Sequence, residues 1–136
     1  MKPNLALTIT SLLTIVFLTF HLSDEITRGM EPGRLNMVIP ILVLAGWAYA
    51  ALVLSGRRSG YIILLLGAIV GLGVPIVHML GATGLVSSRI ANSFGAFFWV
   101  WQNFTLALIS ACSLMLAVRG LWSLRRGQSR QHDNQI

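Results

Sequence analysis

The chain has 136 residues, of which 55% are hydrophobic and only 10% charged, with a mean hydropathy of +0.76 and a formal net charge of +6. A water-soluble domain carries roughly 25% charged residues to cover its surface, so this composition excludes an ordinary soluble globule. The basic balance does not point to nucleic acid either. Nucleic-acid binding needs cations clustered on a solvated face, whereas here they lie between and beyond long apolar runs.

Those runs go from Leu5 to Leu22, from Met37 to Leu54, from Tyr61 to Leu80 and from about Phe94 to Val118. None contains Lys, Arg, Asp or Glu in its interior. A hydrocarbon layer of ~30 Å is crossed by ~20 helical residues, a length each run approaches. Only helices and closed barrels satisfy their backbone groups in lipid, and continuous apolar runs do not alternate as barrel strands do. The expected fold is therefore all-α, a four-helix transmembrane bundle over residues 1–122 with short loops. A polar, basic tail over 123–136 is expected to be disordered and cytoplasmic. The first run is too long for the ~7–15-residue core of a signal peptide and ends in Phe20-His21-Leu22-Ser23-Asp24-Glu25, without a small-x-small cleavage pattern. It is read as a helix.

Turn chemistry separates the runs. Gly29, Pro32 and Gly33 punctuate the first connection, Ser55-Gly56-Arg57-Arg58-Ser59-Gly60 the second, and Gly81, Gly84 and Ser87-Ser88-Arg89 the third. In a four-span arrangement Lys2, Arg57, Arg58, Arg119, Arg125, Arg126 and Arg130 fall on one side. Arg28, Arg34 and Arg89 fall on the other, beside Asp24, Glu25 and Glu31. The excess of basic residues marks the cytoplasmic side, so both termini are expected there, in the inner membrane of a bacterium. Trp122 and Tyr61 then sit at the inner boundary, and Trp99 and Trp101 near the outer one.

The chemistry-bearing residues gather at the outer end. If the first helix continues past Leu22, His21, Asp24, Glu25 and Arg28 share one face. The third run brings His78 to the same level, one turn after Pro75. That proline cannot bond the carbonyl of Gly71, so a kink is expected. The fourth run adds Gln102 and Asn103. Read as a site, His21, Asp24, Glu25 and His78 are candidate ligands for a transition metal, His21 and His78 are candidate haem ligands, and the acids with His21 are a candidate proton relay. Met30, Met37 and Met79 lie near this level and suit a soft ion. The plainer reading, favoured on sequence alone, is an interfacial cap in which Asp24 and Glu25 pair with Arg28 and His78 satisfies a freed carbonyl. No cofactor is required by any motif, and the lone Cys112, within an apolar run, reads as an inert buried thiol.

Small residues mark helix contacts. Gly67 and Gly71 form a GxxxG pattern in the third run, Gly46 and Ala50 a small-xxx-small pair in the second, and Asn103 heads a small-residue face in the fourth. These contacts serve packing within the bundle, self-association or other membrane subunits. The function expected from these features is a non-enzymatic accessory or assembly subunit of a membrane complex. The alternatives are a haem- or metal-binding redox protein and a proton-coupled small transporter. The topology is checked with compartment reporters. Fusions after Ile136 and within the Ser55–Gly60 turn should report the cytoplasm, and one between Gly29 and Gly33 the opposite side; a C-terminal reporter outside the cell membrane contradicts the reading.

Overall fold

A computed structural model describes residues 4–27, 38–80 and 95–133, with side chains placed except at 79–80 and 127–133. The described residues are all helical apart from the caps and one turn: α1 (Leu5–Thr27), α2 (Val38–Leu52), α3 (Arg58–Leu80) and α4 (Ala96–Asp133). Three of these are long and apolar enough to cross a membrane, over Leu5–Thr27, Arg58–His78 and Ala96–Arg126, while α2 is a shorter apolar helix.

Local chemistry sets the ends. Asn4 caps α1, its side-chain oxygen accepting the Leu7 amide at 3.2 Å while its carbonyl accepts that of Thr8 at 3.0 Å. Between α2 and α3 the Arg57 amide donates to the Leu54 carbonyl at 3.0 Å. Gly56 stands third in that turn with φ 83°, a left-handed conformation that glycine adopts without steric cost.

The helices run alternately up and down. Thr8, at the start of α1, lies 3.4 Å from the Ala51 carbonyl and from the Ser55 hydroxyl. At the opposite end the last turns of α1 and α3 meet. The most extensive packing joins α4 to α3 and to α1, with α2 more lightly held. On α1 the buried positions are Leu7, Ser11, Thr14, Leu18, His21 and Glu25. They recur at alternating intervals of four and three, the spacing of helices packed at a shallow left-handed angle. On α4, Leu106, Ser110, Ser113, Ala117 and Gly120 are buried at the same intervals.

Much of this interior is polar or small, and much of the exterior is large and apolar. Ser11, Thr14, Ser110 and Ser113 are fully buried, while Leu13, Val16, Phe20, Leu42, Ile69, Val70, Phe104 and Leu108 are exposed. A soluble monomer rarely leaves apolar patches beyond a few hundred Å² exposed. Such an exterior suits hydrocarbon, where small residues inside let backbones approach. The GxxxG pattern is spent within the chain. A Cβ on Gly67 would strike the buried Trp47 ring of α2, and one on Gly71 would press on Ser110 of α4 and Thr14 of α1. Gly46 instead faces open space, although Ala50 one turn later is buried.

Several expectations change. The first helix does not stop at Leu22 but reaches Thr27, the Ser23 and Thr27 hydroxyls being satisfied within it by the Thr19 and Asp24 carbonyls at 2.8 and 2.9 Å. The second ends at Leu52 rather than Leu54, and the third begins at Arg58 rather than Tyr61. The tail expected to be disordered from 123 continues α4 to Asp133. Leu121 and Leu124 pack against the core, and the Arg126 guanidinium lies 4.1 Å over the Trp122 ring, so apolar and cation–π contacts carry the helix past the expected boundary. Tyr61, read as a boundary aromatic, is buried where Gly120 leaves room for its ring.

Gly67→Ala is expected to lower stability by about 1–3 kcal/mol, the cost of overpacking a tight contact. Gly46→Ala, which meets nothing, should be neutral or raise stability by up to ~1 kcal/mol through helix propensity. Unfolding in mixed micelles checks the pair; equal effects would contradict this packing.

Candidate metal centre

The far ends of α1 and α3 bring three donor side chains together. His21 and Glu25 are one turn apart on the buried stripe of α1, and His78 faces them from the last turns of α3. One carboxylate oxygen, Oε1 of Glu25, lies 3.3 Å from Nε2 of His21 and 3.0 Å from Nε2 of His78. The two imidazoles meet edge to face, with centroids 4.8 Å apart and planes at 72°. Ligand atoms of all three residues lie within 4.8 Å of one another.

Burial differs sharply across the trio. The His21 side chain is 1% exposed and that of His78 32%. Glu25 is buried, and a carboxylate taken out of water is costly unless it is paired or hydrogen-bonded. The two imidazoles supply that compensation from different helices. α4 closes the other side: Trp99, 2% exposed, stacks edge-on to His78 at 6.0 Å. Gln102 donates from Nε2 to the Phe17 carbonyl at 3.1 Å, tying α4 to α1 one turn before His21. Asn103 is buried and donates to the Trp99 carbonyl at 2.9 Å.

Toward α2 the cluster opens into a cavity of about 260 Å³. Its walls are apolar, including Val43 and Leu44 of α2 and Val74 of α3, and its polar groups are His21, Glu25 and His78. The donors thus sit at the edge of a largely apolar chamber rather than on an open polar surface.

These distances suit a metal ion. Donors bound at ~2.0–2.1 Å stand about 2.9–3.4 Å apart in octahedral or tetrahedral shells, the range of both Nε2–Oε1 separations. Neither ring nitrogen of the buried His21 makes a hydrogen bond of acceptable geometry, so its contact with Glu25 is close without being directed. Two imidazoles with one carboxylate is a donor set used by zinc and by non-haem iron. A porphyrin does not fit between the rings, because haem needs axial ligands on opposite faces and the Glu25 carboxylate stands between these two.

Of the residues singled out from sequence, His21, Glu25 and His78 converge. Asp24 is half-buried and outside the converging set. Arg28, Met30 and Met37 lie outside the described residues, as does the side chain of Met79. Glu25 pairs with both histidines, while the expected pairing of the acids with Arg28 lies outside the described residues. His78 reaches that carboxylate instead of a carbonyl freed by Pro75, and α3 runs as one helix through the proline. Trp99, which sequence reading placed near the outer boundary, is buried against His78. The signal for this was its i,i+3 and i,i+4 spacing to Gln102 and Asn103 on one buried face. Comparison with protein families, with curated proteins and with solved structures gave no match.

The unequal exposure has a direct readout. Diethylpyrocarbonate should carbethoxylate His78 well before His21 in the folded protein, as followed by peptide mass spectrometry. Equal rates at the two positions would contradict the buried placement of His21.

Proposed function

We propose that this chain is a four-span protein of the bacterial inner membrane, with both termini cytoplasmic, that binds a divalent transition-metal ion through His21, Glu25 and His78 near its outer face. The observation that carries the metal assignment is the convergence of three good ligands from two helices within 4.8 Å, the two imidazole–carboxylate separations matching the edges of a coordination shell. Asp24 lies one residue from the cluster and adds negative charge beside it.

The membrane reading is supported by the apolar exterior and by the separation of charge between the helix ends. As described, α2 has 15 residues, or ~22 Å at ~1.5 Å per residue. It serves as the fourth span if the chain before Val38 completes the crossing or the bilayer thins locally. The site fits an accessory or assembly subunit that holds or hands on an ion within a larger membrane complex. Its side cavity offers a route for exchange that need not pass through the packed interior.

Purified protein should contain a single equivalent of zinc, iron or manganese by elemental analysis. His21→Ala, His78→Ala or Glu25→Gln should weaken binding by ~100-fold or more, beyond the 10–100-fold typical of outer-shell changes. Acidification should release the ion, since imidazole binds metal only when deprotonated. A preparation that takes up none of these ions when offered them, and is indifferent to all three substitutions, would reject the assignment. A proton relay through the same three side chains is the second reading. It predicts pH-driven transport abolished by Glu25→Gln in metal-free protein.

A further inference from the structure

At the opposite end, α3 and α4 enclose a larger cavity, of about 430 Å³. Its charged lining is Arg57 in the turn before α3, Arg58 at the start of α3 and Arg125 on α4; its apolar lining includes Ile62, Leu121 and Leu124. The two classes are sorted by depth. Arg58 and Ile62 are one turn apart on α3, as are Leu121 and Arg125 on α4. Because the helices are antiparallel, both pairs run from apolar to basic in the same direction. The result is a pocket with a cationic mouth and an apolar floor. Trp122 is exposed beside it, with Arg126 stacked on its ring, as expected of side chains at a lipid–water boundary.

From this sorting we propose that the cavity binds the headgroup of an anionic phospholipid. The guanidiniums of Arg57, Arg58 and Arg125 engage the phosphodiester, and an acyl chain lies along Ile62, Leu121 and Leu124. Guanidinium matches phosphate in charge and in forked hydrogen-bond geometry. The opening of α3 adds amides without intrahelical partners and the positive end of a helix dipole. Of the four acidic residues in the chain, Asp24, Glu25 and Glu31 belong to other segments, and Asp133 lies two turns beyond Arg125. Every charged residue of the cavity lining is thus an arginine. A free phosphate would use the mouth alone, whereas a lipid uses both halves. The proposal rests on the membrane reading above but not on the metal site.

The test uses the full chain in uncharged detergent, with phosphatidylglycerol or phosphatidylcholine added and retention read by native mass spectrometry. The wild type should retain phosphatidylglycerol about tenfold better, on the order expected for a few guanidiniums near an anionic lipid. The double variant R58Q/R125Q should lose that preference. R119Q, which removes an exposed charge outside the cavity, should keep it. No preference in the wild type, or an equal loss in R119Q, overturns the site; the wild-type arm stands even if the double variant fails to fold. Inorganic phosphate in millimolar excess should leave retention unchanged, and full competition would reassign the mouth to a small anion. Alkaline carbonate extraction on the same membranes separates the failures. A released chain rejects the spanning reading itself, whereas a retained chain without lipid preference rejects only this site.

Discussion

A buried carboxylate must find compensation for leaving water, and in this chain Glu25 finds it in two imidazoles carried by different helices. That requirement organises the whole outer end. It makes α1 continue beyond its apolar run, because Glu25 has to stand one turn after His21 on the inward stripe. It aligns the ends of α1 and α3, and it calls for an aromatic cover, which Trp99 supplies from α4. Either partner alone would leave part of the carboxylate uncompensated in an apolar setting, where breaking a buried pair commonly costs several kcal/mol.

The remainder of the fold is what allows such a cluster to be held between slender helices. Alternating four- and three-residue intervals of small and polar side chains let α1, α3 and α4 approach closely. Gly67 admits the Trp47 ring and Gly120 admits Tyr61, so two large aromatics fill spaces that small residues open. Thr14 turns its hydroxyl back onto the Thr10 carbonyl at 2.9 Å, whereas the buried hydroxyls of Ser11, Ser110 and Ser113 make no hydrogen bond and serve by being small. The large apolar side chains are left for the exterior. Charge is divided as well: Asp24 and Glu25 lie with His21 and His78 at one end, and Arg57, Arg58, Arg119, Arg125 and Arg126 toward the other.

The helical class and the apolar character of each run were legible from hydropathy alone, because lipid-facing segments cannot disguise their composition. Helix ends were less so. The first apolar run ends at Leu22, yet α1 continues to Thr27, with the Ser23 and Thr27 hydroxyls turned back onto carbonyls of their own helix. The tail past Trp122 reads as polar and loose, yet Leu124 and the Arg126–Trp122 stack extend the helix. His21, Glu25 and His78 were each visible as candidates, and the helical spacing of the first two was plain. Their joint pairing was not. Nothing in one dimension says that Glu25 meets a histidine 53 positions away; that meeting is set by the depth at which α3 packs on α1. The open exposure of Gly46 was equally hidden, since a small residue looks alike whether it faces a neighbour or lipid.

The central claim is that Glu25 and His78 are energetically joined across two helices. A double-mutant cycle with Glu25→Ala and His78→Ala, read by reversible unfolding in mixed micelles containing a chelator, measures that link without any bound ion. The account predicts a coupling of about 1–3 kcal/mol, within the range of contacting buried groups. Additive effects, agreeing within ~0.5 kcal/mol, would show that the two side chains do not act on one another and would contradict it.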